Sequence, residues 1–536
     1  MISDLNPQTP VDLILEEQQN LTAVERFARR HDAKAPPAQQ RHYRDLIPLS
    51  APGPGQQYAF EVDLDRCSGC QACVTACHSL NGLDEDESWR QIGVLYSGET
   101  AAPFQATVTM ACHHCVDPGC LTGCPVLAYD KDPSTGIVHH LDDQCIGCQY
   151  CVMKCPYDVP QYSAKRGIVR KCDMCSSRLS QDEAPACVQA CPSQAIRITL
   201  VDQAQVLRGH RNGTPAFLPA APDPRHTAPT TIYRTSRALP QGLLAGNHES
   251  ISAAHPHLAL VHMLVLSQLA VGACLAALSG EFARTLSVVG AASGALAIGL
   301  GTFHLGRPTK AWRAFLGWRT SWFSREVMAF AAFIPAAAAA AASFRIAPLS
   351  GLQRPLSLLA ALFGVLGVAC SAMIYADTHR EFWNAPRSFG RFFGTTLQLG
   401  SALLLAVCAA SASAPAGKIE GLCLLTGAVT LIKLAFEHRI FRHLVDRSEM
   451  EQTPLNRSAR LIADELGLAA RFRVFCGVAG GIVLPAFVAL GRASGADAAI
   501  GPAFAALSLC VLGELLERFL FFAAVAPVKM PGGRSA

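Results

Sequence analysis

Sixteen of the 22 cysteines fall between Cys67 and Cys191, in four groups of four. The first is Cys67, Cys70, Cys73 and Cys77 ("CSGCQACVTAC"), and the second is Cys112, Cys115, Cys120 and Cys124 ("CHHCVDPGCLTGCP"). The third is Cys145, Cys148, Cys151 and Cys155 ("CIGCQYCVMKCP"), and the fourth is Cys172, Cys175, Cys187 and Cys191. Groups one and three have the spacing C-x2-C-x2-C-x3-C, in which a tight loop turns three thiolates onto one cubane while the fourth reaches a neighbouring cluster. Sixteen thiols, four to a cluster, give four [4Fe-4S] clusters with none left over.

Zinc needs two separated thiol pairs around a tetrahedral ion, which leaves three cysteines at x2, x2 spacing unexplained. Disulfides bridge such near neighbours poorly and belong to exported proteins. No export signal is legible in residues 1–40. Arg29-Arg30 is followed by His31, Asp32 and Lys34 rather than by the apolar run of a twin-arginine leader. Spacing alone leaves open whether the groups exchange fourth ligands sequentially or in a nested order.

The run "CIGCQYCVMKCPYDVPQYSAKRGIVRKCDMC" resembles the four-cluster iron-sulfur subunit of the dimethyl sulfoxide reductase family of molybdoenzymes, and all four groups match across residues 58–200. The resemblance implies nested ligation. Cys67, Cys70 and Cys73 would take Cys191, and Cys172, Cys175 and Cys187 would take Cys77. Cys112, Cys115 and Cys120 would take Cys155, and Cys145, Cys148 and Cys151 would take Cys124. In some relatives a cysteine of the third group is replaced and that cluster has three irons; Cys148 is present here, so four cubanes are expected.

The elements that must hold these groups divide unevenly along 536 residues. Residues 1–57 read as an extension: an amphipathic helix over 11–30, with Val11, Leu13, Ile14, Leu15, Leu21, Val24 and Phe27 as a stripe for a docking partner, then a Pro/Gly-rich linker. Residues 58–202 read as an α+β ferredoxin-like polyferredoxin domain, and 203–257 as a polar linker. Residues 258–536 read as an all-α polytopic membrane domain of eight transmembrane helices, at 258–279, 286–305, 327–344, 356–376, 394–413, 421–436, 474–490 and 500–526. Half the residues are hydrophobic and 16% charged, greasy for a soluble chain. A net charge of +4, with no basic stripe interleaved with aromatics, excludes nucleic acid as a partner.

Lys and Arg in the connections number 17 on one side and five on the other, if the iron-sulfur domain lies on the first. Positive charge stays inside. The expectation is a multi-pass protein of the inner (cytoplasmic) membrane, with the iron-sulfur domain and both termini in the cytoplasm. Polar residues within the apolar segments cluster toward that side: His304, Glu326, Tyr375, Asp377, His379, Lys433, Glu514, Glu517 and Arg518. Snorkelling suits His379 and Lys433 equally well, and an internal ion pair suits Glu514 and Arg518.

The same half is similar to the eight-helix membrane-anchor subunit of that family, through "HLG" at 304–306, the Ser324 and Glu326 neighbourhood, and "GEL" at 513–515. The similarity implies quinone or quinol as exchangeable substrate, with His304 and Glu326 at its headgroup handling protons. Arg307 and Glu514 complete the expected quinone set. The chain thus reads as a fusion of two subunits, itself without a catalytic centre, passing electrons between a separate molybdopterin catalytic subunit and the membrane quinone pool. A domain fused ahead of the first helix resists folded export, which favours a cytoplasmic partner resembling the cytoplasm-facing sulfite dehydrogenases of this superfamily. The alternative is a quinol-oxidising subunit of a dimethyl sulfoxide or related reductase.

Overall fold

The computed structural model describes residues 9–19, 22–32, 40–97, 103–212, 217–240, 242–411, 414–445, 453–494 and 499–531. Arg447 and Arg534, both counted above as charges on the iron-sulfur side, lie outside the described residues.

The ferredoxin-like domain is closed by its own ends. Strand Gln56–Asp63 pairs antiparallel with Ile196–Asp202, Gln56 opposite Asp202 and Val62 opposite Ile196. Between them, Gln91–Ser97 pairs with Gln105–Met110, and two short hairpins, Tyr129–Lys131 with Val138–His140 and Gln161–Ser163 with Ile168–Arg170, flank the inner cysteine groups. The stretch read as a linker folds back on this domain. Ile232–Arg234 adds a parallel strand to the first sheet, and Leu243–Ala245 adds an antiparallel one to the second.

The single amphipathic helix expected over 11–30 is two helices, Pro10–Gln19 and Ala23–Asp32. The break has a local cause. Thr22 and Glu25 form a capping box that starts a new helix, just as Thr9 and Asp12 start the first. Val11, Ile14, Leu15 and Val24 are exposed.

Among the described residues seven helices are long and apolar enough to cross a membrane: Leu258–Ala277, Ala283–Thr302, Trp322–Ser343, Ala347–Ala376, Ala385–Ala409, Ala416–Leu444 and Gly467–Gly491. The eighth expected span is a continuous 24-residue helix, Ile500–Ala523, outside that group of seven and bearing buried Glu514, Glu517 and Arg518. The fifth long helix starts nine residues before its expected position, because Asn384 caps it by accepting from the Arg387 N–H and proline follows in the first turn. Its Arg391, which cut the apolar run short in the sequence, is buried beside Glu517. Arg473 is likewise buried in the seventh helix. Neither is a loop charge, and dropping these two from seventeen leaves fifteen against five.

Two of the hydrophobic cores hold buried cysteines of the four groups, and they divide along an informative line. One joins Phe60, Cys73, Cys112, Cys172 and Cys187. The other runs without a break from Cys124, Cys145, Cys148 and Cys151 into Leu260, Phe330, Tyr375, Trp383 and Phe521 of the long helices. The inner cysteines therefore share their hydrophobic core with the helical domain.

Candidate functional site

Each cysteine loop is shaped by residues in the left-handed region. In groups one and three the sequence C-x-G-C-Q places Gly69 and Gly147 at φ 75° and 70°, followed by Gln71 and Gln149 at 63° and 59°. These turns curl the chain so that successive thiols face one centre. Gly147 has a second reason to lack a side chain: a Cβ there would lie 2.4 Å from the Gly167 carbonyl oxygen and 3.0 Å from the Gly306 backbone.

The sixteen thiols gather in four sets. Cys67, Cys70, Cys73 and Cys191 line one small cavity, and Cys112, Cys115, Cys120 and Cys155 line another. Cys77 faces Cys175 and Cys187, and Cys172 faces Cys77 and Cys175. Cys124 faces Cys145, Cys148 and Cys151. The sets themselves form a file. Cys73 faces Cys187 of the next set, Cys172 faces Cys112 of the third, and Tyr129 stands among Cys120, Cys124 and Cys151 at the last junction. The file starts at exposed Cys70 and ends at fully covered Cys148 and Cys151.

The surroundings fit a bulky anionic guest in each set. Arg90 is 1% exposed and faces the thiols of Cys187, Cys73, Cys172 and Cys77. Its Nη1 donates to Thr109 Oγ1 at 3.1 Å, while Nη2 has no hydrogen-bond partner. Lys171, equally buried, faces Cys112, Cys120 and Cys172 and donates to the Val138 and Cys172 carbonyls. A buried cation with no carboxylate partner is costly unless negative charge stands beside it. Among the described residues no three His, Cys, Asp or Glu side chains converge on a site for a single metal ion. His113 and His114 are packing elements rather than ligands. His113 Nδ1 meets Thr231 Oγ1 at 2.8 Å, and His114 Nδ1 accepts from the Val138 N–H. Burial pushes His113 down to about 3, so it is neutral.

The end of the file is clamped to the loop after the second long helix. His304 Nε2 donates to the Cys148 carbonyl at 3.2 Å, and the Arg307 N–H donates to the Ile146 carbonyl at 3.0 Å. The Arg307 guanidinium donates to the Asp142 carbonyl, and Lys310 and Arg313 donate to that of Asp143. The second cysteine group is held from the other side: the Gly317 N–H and Ser324 Oγ donate to the Pro125 carbonyl, and Ser321 Oγ to that of Gly123. Lys154 pairs with Asp377 at 2.6 Å, and Tyr150 donates to the Ile374 carbonyl.

His304 and Glu326 do not touch each other, yet both adjoin the third cysteine group. Glu326, 6% exposed, accepts from Ser371 Oγ and faces Tyr150, which also faces Cys148. Arg307 is spent on the cysteine loop. Glu514 lies elsewhere, paired with Lys433 and with Arg473, and it accepts from Thr395 at 2.5 Å. Arg518 turns to Gln268 and Glu517 rather than to Glu514. Sequence reasoning missed Tyr150, whose position between two cysteines hid a role, and His257, whose ring lies 5.0 Å from that of His304.

Comparison with known proteins matches residues 251–523, half of the chain, to the DMSO reductase anchor subunit (DmsC) family. Residues 104–200 match a 4Fe-4S dicluster domain. The B subunit of the anaerobic dimethyl sulfoxide reductase of Haemophilus influenzae is 34% identical over 191 residues, 34% of this chain and 91% of that protein. The probable anaerobic dimethyl sulfoxide reductase subunit YnfG of Escherichia coli is 33% identical over 199 residues, 35% of this chain and 95% of its own. The thiosulfate reductase electron transfer subunit PhsB of Salmonella typhi is 36% identical over 161 residues, 28% and 80% of the two chains.

Proposed function

Since the chain belongs to the dimethyl sulfoxide reductase family, as a fusion of its iron-sulfur and membrane-anchor subunits, we propose that it carries electrons through four [4Fe-4S] clusters between a separate molybdopterin subunit and membrane quinone. Bound clusters supply one-electron transfer. The protein's part is to hold them in file, offset their charge and bring the last one to the membrane.

In this reading the four thiol sets are the four ligand sets, with Cys191, Cys77, Cys155 and Cys124 as the exchanged fourth ligands. Arg90 and Lys171 supply internal countercharge. The domains run 1–57, 58–202 with the strands of 203–257 added to its sheets, and 258–536, the last with eight spans, Ile500–Ala523 included. The iron-sulfur domain and both termini face the cytoplasm, in keeping with the positive charge retained on that side. The single observation that carries the reading is the clamp between His304 and Cys148, which joins the last thiol set of the file to the helical domain. His304 and Glu326 are its quinone residues. Quinone chemistry moves protons with electrons, and these side chains offer the titratable partners.

A cytoplasmic catalytic partner fits sulfite oxidation, with electrons running from substrate to quinone. Inverted membrane vesicles carrying the whole complex should then reduce quinone when given sulfite, and silence in that assay refutes this direction and substrate. Quinol-driven reduction of dimethyl sulfoxide or thiosulfate by the same vesicles supports the second reading, which the relatives' names favour.

A further inference from the structure

A cavity of about 350 Å³ lies against the third cysteine group, between the iron-sulfur and helical domains. Gln149 and Met153 form one wall, Trp383 and Phe522 another, and His255 and His257 stand on a third. Its charged rim consists of Asp86, Asp158, Arg380, Arg457 and Lys529, so the cavity is wet.

The two histidines lead inward from that water. His255 is exposed, and its ring lies 4.9 Å from that of His257, which is half-buried. His257 in turn meets His304 at 5.0 Å, edge to face, and Phe522 at 6.0 Å. The tautomers are constrained. The His257 backbone N–H donates to His255 Nδ1 at 3.2 Å, which leaves the His255 proton on Nε2. His304 donates Nε2–H to the Cys148 carbonyl. His257 holds φ 47° as the residue before the first long helix and lines the cavity.

We propose that His255 and His257 form the proton entry of the quinone site, passing protons between the water of this cavity and the quinone that reacts beside His304. The inference rests on the quinone reading above. Reduction of one quinone consumes two electrons, arriving singly through the third cysteine group, and two protons. Each proton leaves cavity water, crosses His255 and His257, and forms an O–H bond on a quinone oxygen; quinol oxidation runs the same path outward. Burial, with His304 and His255 beside it, pushes His257 down to about 4, so it rests neutral. A neutral imidazole relays by gaining a proton at one nitrogen as it loses one from the other; in His255 the bond from the His257 N–H opens as Nδ1 takes the incoming proton and Nε2–H is passed on.

The test uses the full complex in membrane vesicles with decylubiquinone as acceptor. His257→Asn, which tolerates the left-handed backbone, and His255→Gln should each lower kcat at least tenfold at pH 7.5 with iron content unchanged. KM for the quinone should stay within twofold, the solvent deuterium isotope effect should rise, and added imidazole should restore part of the rate. An unchanged kcat and isotope effect, or a rise in KM alone, overturns the proposal. If quinone reoxidises none of the dithionite-reduced clusters and quinol reduces none of the oxidised ones, the quinone reading itself falls, and this inference with it.

Discussion

The His304 imidazole donates a hydrogen bond to the carbonyl of Cys148, 156 residues earlier in the chain. A side chain of the helical half thus touches the peptide that holds the last thiol set. Replacing it should separate electron delivery from cluster assembly. His304→Ala is expected to cut quinone-linked turnover at least tenfold while iron stays near sixteen per chain, about four to each of four cubanes. Normal turnover refutes the role given to His304.

The close approach around Gly306 gives a packing test. A Cβ at that position would lie 2.3 Å from the Gly167 carbonyl oxygen and 2.8 Å from the Tyr162 hydroxyl, and the first of these is backbone that cannot step aside. Gly306→Ala should cost about 1–3 kcal/mol of overpacking and push the cysteine loop from the helical domain. Chemical reduction of the clusters should remain intact and their reoxidation by quinone should slow.

Ligand exchange predicts which cluster each cysteine disturbs. Under the nested order, Cys191→Ser should alter the electron paramagnetic resonance signal of the cluster at Cys67, Cys70 and Cys73, leaving that of Cys172, Cys175 and Cys187 unchanged. Loss of the signal of the cluster at Cys145, Cys148 and Cys151 instead would establish sequential exchange.

Arg90 is the countercharge of the second thiol set in the file. Arg90→Met keeps its apolar contact with Phe60, over whose ring the guanidinium lies at 4.7 Å, but removes the charge. The reduction potential of the neighbouring cluster should fall by roughly 60 mV, tenfold in equilibrium for one electron. Potentiometric titration followed by electron paramagnetic resonance reads this directly.

The buried charge cluster of the helical domain should act on stability alone. Lys433 pairs with Glu514 and with Glu437, and Arg473 bridges the same two carboxylates. Lys433→Met strands charge in the bundle and should cost about 3–5 kcal/mol, whereas Lys433→Met with Glu514→Leu should recover part of that loss. Thermal unfolding in detergent of the two variants and the parent tests the coupling.

Much of this organisation was legible because its causes are local. The C-x-G-C-Q turns need only glycine and a left-handed neighbour, so the cysteine spacing announced the loops. The long helices are apolar by composition, so they announced themselves too. Misreadings occurred where a distant partner altered a residue's meaning. Arg391 and Arg473 read as loop charges until Glu517, Glu437 and Glu514 came to face them inside the bundle. The stretch 203–257 read as a linker because the partners of its two short strands lie far upstream, at Glu61–Asp63 and Leu95–Ser97.

The sequence by itself determined sixteen thiols in four loops and a chain of apolar helices, since thiol spacing and hydropathy are properties of contiguous residues. Tertiary structure alone decided which thiols meet, in what order the four sets stand, and that the last set rests on His304 rather than on the solvent side. Those relations depend on distant chain segments packing into one hydrophobic core, and no local pattern encodes that meeting.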